Sequence, residues 1–267
     1  MNANSNWELQ ITETELSRMT KDLDEAHRET IPTMFAKARG FAEEIADTVG
    51  ASKPLARRRF FMGVGGVGIG VALAACGTGS GSGSAGSPSS SGTPAKPASK
   101  YTGDLKVVAL ATALENQAIA AYTAALSAAK AGKLGSVPPA IGQFAMTAMS
   151  QHADHAKAWN AVLTSANVPT ITGIPLSGQP GVEKALGSVT NVGDVAKLAL
   201  QLENQAAQTY LFAEANVSSA GGISTAATIA PVEAMHAAIL NFVLGQYPVP
   251  DNFVATDMAA NPSTLTV

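Results

Sequence analysis

The sequence predicts an all-α fold, a four-helix bundle built from two repeated helical hairpins joined by one long crossover. Two observations carry this expectation. Residues 107–122 laid over 195–210 give nine identities in sixteen, and the run Leu114-Glu115-Asn116-Gln117-Ala118 reappears as Leu202-Glu203-Asn204-Gln205-Ala206. A second block, 152–163 over 233–244, repeats at an offset seven residues shorter and aligns His155 with His236 and Asn160 with Asn241. Each unit therefore reads as two helices, and the chain holds the unit twice. No run alternates apolar and polar residues at period two for long, so parallel sheet has no support.

From the amino terminus, residues 1–56 read as a charged leader. Helical periodicity runs from Thr12 to Val49 through Leu16, Met19 and Leu23, then Met34, Phe35, Ala38 and Phe41, with a break expected at Pro32. Either it is a cytoplasmic recognition element, or Met19 or Met34 is the true start; both readings leave it out of the mature protein. Residues 57–76 follow, with Arg57-Arg58-Arg59-Phe60-Phe61 opening an uncharged run that ends in Leu73-Ala74-Ala75-Cys76. This resembles a twin-arginine export signal closed by a lipoprotein box, which implies lipidation (palmitate) of Cys76, export by the twin-arginine machinery through Arg58 and its neighbour Arg57, and a cell-membrane anchor on the extracytoplasmic face. Residues 77–100 are Gly, Ser, Ala, Pro and Thr almost throughout, a tether with a mean reach of roughly 25 to 30 Å.

The bundle is expected over 101–250. A first helix from about Asp104 stops at Gly132, and a second follows Pro138-Pro139 and ends before Pro169. A Pro- and Gly-rich crossover, with one short turn near Val182 to Leu186, leads to a third helix from Gly193 and a fourth from Ser224 to about Gly245. One long connection between two hairpins is an established bundle topology. The tail, 251–267, is left to pack on the bundle or on a partner.

Composition narrows the chemistry. The chain has 267 residues, a net charge of −3, one Cys and four His. A near-neutral balance argues against nucleic acid as a partner, and one Cys excludes disulfide frameworks and Cys-rich metal modules. After Cys76 there is no Arg, acids are sparse, and three of the four His occur.

In each unit the first helix offers one Glu (Glu115, Glu203) and the second a polar pair three residues apart: His152 with His155, and Glu233 with His236. Residues at i and i+3 share a helix face, so each pair can aim at one point in the core. Carboxylates in such apolar surroundings are strongly disfavoured alone, and shared metal coordination is the usual way to keep several together.

These residues resemble the ferritin-like superfamily, whose two-metal members use a Glu from each of two helices and Glu-x-x-His from each of the other two. The resemblance implies metal ligation by Glu115, His152, His155, Glu203, Glu233 and His236, with iron or manganese as the cofactor in a one- or two-metal centre. His152 departs from the pattern by standing where the family has Glu. It implies oxidative or iron-related chemistry; the other reading is a metal-free envelope scaffold with a relic site. A small homo-oligomer is compatible with an N-terminal tether, whereas a storage cage is not. Tyr122 and Tyr210 read either as core rings or as partners of the ligands, Trp159 as core, and Met146, Met149 and Met235 as core filling.

Overall fold

The computed structural model describes residues 7–51, 100–251 and 254–267. Arg57, Arg58, Cys76 and the tether through residue 99 lie outside them. The described residues form six α-helices: α1 (Glu13–Ala51), α2 (Asp104–Lys130), α3 (Pro139–Ser165), α4 (Gln179–Ser188), α5 (Val192–Asn216) and α6 (Ala220–Val243). They contain no β-strand, only one isolated bridge between Leu176 and Leu265.

Local chemistry sets the helix ends. α3 starts on Pro139, where the missing N–H costs nothing. The side chain of Asn191 accepts from the Asp194 amide at the start of α5, and Ser219 does the same for Gly222 at the start of α6. Just past the ends of α2 and α6, Gly132 and Gly245 adopt φ 72°, a left-handed turn that glycine enters without a Cβ penalty. The crossover carries a ten-residue helix, α4, rather than the short turn expected.

Two hairpins, α2–α3 and α5–α6, pack through α2 against α5. On the opposite side, α1 lies against both α3 and α6. This arrangement was not legible from a sequence read as leader plus bundle. α1 presents Leu16, Thr20, Leu23, His27, Met34, Ala38, Phe41 and Ile45 as one buried stripe, spaced as in a coiled-coil seam. The expected break at Pro32 does not occur, because α1 continues through it. An interior proline costs about 3 kcal/mol, which the seam offsets by burying side chains on both sides of it.

Polar groups fix the position of α1. Glu13 accepts from the Ala140 amide at the start of α3, and Glu44 accepts from the Gly221 amide at the start of α6. Carboxylates at helix amino termini meet unpaired N–H groups and a favourable dipole. α1 therefore runs parallel to α3 and antiparallel to α6. A Cβ added to Gly221 would fall 2.7 Å from the Phe41 backbone nitrogen, so only glycine permits this approach.

α6 is apolar and long enough by composition to cross a membrane, but 61% of its most apolar window is buried in the bundle. It is the helix enclosed by α1 and α5. The tail folds back on the bundle: the amides of Met258 and Ala260 donate to Gln208 and Thr209 of α5, and Thr266 donates to the Pro175 carbonyl. Met146 and Met235, expected in the core, are exposed. In helices this rich in Ala the apolar pattern has little contrast, and it does not mark which face turns inward.

Candidate metal centre

One polar cluster occupies the middle of the bundle, with an apolar cluster around Phe41, Leu110 and Trp159 on one side and another around Leu16, Phe144 and Leu240 on the other. Glu115 comes from α2, His152 and His155 from α3, Glu203 from α5, and Glu233 and His236 from α6. All six are at most 2% exposed.

Their ligand-type atoms form two overlapping groups, Glu115/His152/His155/Glu233 and His152/Glu203/Glu233/His236, with the atoms of each within 4.8 Å of one another. His152 and Glu233 belong to both. Glu233 turns Oε1 toward Nδ1 of His155 at 2.9 Å and Oε2 toward Nδ1 of His236 at 3.2 Å. His152 turns Nδ1 to Glu115 at 2.7 Å and Nε2 to Glu203 at 3.2 Å, one ring nitrogen per group.

The surrounding contacts follow the internal repeat. Tyr122 of the first unit donates to Glu203 of the second, and Tyr210 of the second donates to Glu115 of the first. Trp159 donates to the Tyr210 hydroxyl at 2.8 Å, so the two tyrosines are partners of the carboxylates as well as core rings. The repeated Asn and Gln residues staple connections instead: Asn116 and Asn160 bind the Ile171 carbonyl, Gln205 that of Met258, and Asn241 that of Pro248.

Two residues outside the predicted set join the cluster. The Gln151 carbonyl oxygen lies 2.8 Å from Nε2 of His236, and Nε2 of His27 on α1 lies 3.3 Å from Nε2 of His155. Gln151 is legible one turn before His155 on the same face. His27 carries only its place in the α1 stripe as a signal, because its neighbour is set by long-range packing.

Burial alone would lower the pKa of His152, His155 and His236, but the adjacent carboxylates outweigh it and raise all three, His155 to about 9. For Glu115 and Glu203 burial opposes ionisation, yet the neighbouring histidines prevail; Glu115 falls to about 2 and Glu203 goes well below the usual carboxylate range. Burial lowers His27 to about 4, helped by the cationic rings beside it, so His27 is neutral.

A pH dependence follows for the metal-free chain. The His155 contribution is complete below its ordinary value of 6.5 and is lost as pH rises toward about 9; the Glu115 contribution is complete above 4.5 and is lost as pH falls toward about 2. Urea midpoints of metal-free protein are therefore expected to be highest near pH 5.5 and to drop by pH 9. A midpoint that does not fall across that interval contradicts these ion pairs.

The donor set suits a metal. Three carboxylates and three imidazoles are mixed O/N ligands fit for first-row divalent ions. Pairing within the cluster is also incomplete: Nδ1 of His155, Oε1 of Glu233 and Nε2 of Gln151 are buried without an aligned hydrogen bond. Access is narrow. A small apolar cleft lined by α2, α5 and Leu186 of α4 borders Tyr122 and Glu203, with a free volume of about 10 Å³, about one water molecule.

Residues 103–246 match the model of a family described as a ferritin-like domain. Comparison with curated proteins and with solved structures returned no match.

Proposed function

This chain belongs to the ferritin-like domain family, and on that premise we propose that its bundle binds one or two transition-metal ions, iron or manganese, for oxidative or iron-related chemistry. The observation that carries the reading is the pair of buried four-residue groups sharing Glu233 and His152. Glu115 and His155 would hold one ion, Glu203 and His236 the other. Glu233, with one oxygen turned to each histidine, is the carboxylate available to both. A neutral imidazole has a single lone pair, so His152 serves one group at a time. Bound iron or manganese would supply redox chemistry with oxygen or peroxide; the chain's own residues hold the ion, keep bulk water out and orient the carboxylates through Tyr122 and Tyr210.

We place the protein on the extracytoplasmic face of the cell membrane, anchored through Cys76 after twin-arginine export. The support is the Arg57-Arg58 and Leu73-Ala74-Ala75-Cys76 sequences. Cleavage before Cys76 would cut the covalent link between α1 and the bundle. The mass of the membrane-extracted protein tests this: a lipid-modified chain beginning at Cys76 is expected, and an intact chain retaining α1 contradicts it.

A second reading, a metal-free scaffold with a relic site, has one favouring observation: His152, His155 and His236 each already lie within 3.2 Å of a buried Glu oxygen. The double variant Glu203→Ala/His236→Ala separates the two. A working centre predicts loss of bound iron or manganese and a cell sensitised to peroxide. A relic predicts only modest loss of stability.

A further inference from the structure

We propose that His27 is a positioning residue of the metal centre: it accepts the Nε2–H of His155 and so holds that ring with Nδ1 facing Glu115 and Glu233. The proposal rests on the metal-binding reading above and assigns part of the centre to the amino-terminal helix. A histidine that binds a metal through one nitrogen almost always donates its other N–H to an acceptor, which sets tautomer and ring orientation.

The two halves of the centre meet this need differently. In one half, Nδ1 of His236 faces Glu203 and Glu233 at 3.2 Å each, and its Nε2 meets the carbonyl oxygen of Gln151 at 2.8 Å. Gln151 stands four residues before His155. The repeat places Val232 at the matching position four residues before His236, and its buried isopropyl group accepts nothing. The second unit therefore cannot return to His155 the contact that the first gives to His236. His27 fills that gap from outside the repeat, 3% exposed, with Nε2 at 3.3 Å from Nε2 of His155 and the rings edge to face at 5.3 Å between centroids. Both Nδ1 atoms thus face carboxylates and both Nε2 atoms face an acceptor, but one acceptor is borrowed from α1.

The test uses the full-length chain stripped of metal and titrated with Co(II), followed by its visible absorption. The wild type is expected to take up Co(II). His27→Phe, which fills the same space without an acceptor, should weaken the tighter step or its partner by about 10- to 100-fold, the usual cost of removing such a contact. His27→Gln, whose carbonyl oxygen accepts, should recover most of that loss. Equal Co(II) affinities for wild type and His27→Phe, or a His27→Gln as weak as His27→Phe, overturn the proposal. A wild type that takes up no Co(II) fails the metal reading itself and this inference with it. Should His27→Phe not fold, nitrogen-15 spectra of the Zn(II)-loaded wild type decide: a protonated Nε2 on His155 supports the proposal, and a metal-bound Nε2 overturns it.

Discussion

Glu233→Ala is expected to remove metal from both halves of the centre. Glu233 is the one carboxylate common to the two groups, fully buried, with an oxygen turned to each of His155 and His236. Loss of a contact outside the ligand shell already costs 10- to 100-fold in affinity, so loss of a shared ligand should exceed about 100-fold at each step. Glu115→Ala and Glu203→Ala should each act mainly on their own half. Calorimetric titration of the three variants with Mn(II) resolves the pattern. Equal, partial losses in all three would show that Glu233 holds no special place.

The second large effect concerns stability. Phe41→Ala is expected to destabilise the full-length chain by about 3–5 kcal/mol, the range for truncating a buried phenylalanine. Phe41 is 0% exposed; it meets Trp159 edge to face at 6.5 Å between ring centroids and sits against Gly221 and Gly222, where no larger residue fits. Urea unfolding of the full chain measures it. A change within about 0.5 kcal/mol, ordinary for a surface substitution, would mean that α1 does not share the bundle's cooperative unit.

Glu233 and Phe41 differ in how far the sequence discloses their surroundings. The hairpins were legible because duplication exposes them: two aligned blocks, Pro and Gly at the ends, and polar pairs at i, i+3. The six polar residues were legible because ionisable groups are scarce after Cys76, and the structure brings all six together. The docking of α1 was not legible, although the stripe through Leu16, Leu23, Met34 and Phe41 was. A helix face shows that a partner exists without saying which surface it meets, and the Arg57–Cys76 sequence made a separate leader the natural expectation. Pro32 misled for a related reason, since tertiary burial overrode a local cost of a few kcal/mol. His27 was invisible because its meaning depends on Val232, a residue some 200 positions away that is unable to accept a hydrogen bond.

The export proposed above and the docked helix bear on one another. Twin-arginine export carries folded proteins, by the resemblance on which the signal rests, and a helix that caps the amino termini of α3 and α6 with Glu13 and Glu44 would be in place before the chain leaves the cytoplasm. Loading of the centre would then precede cleavage, with His27 present.

The most direct measurement is the metal bound per full-length chain, by mass spectrometry, after production under separate iron and manganese supply. The account predicts one or two ions per wild-type chain and none in Glu233→Ala; a wild-type chain without bound metal under both supplies would contradict it.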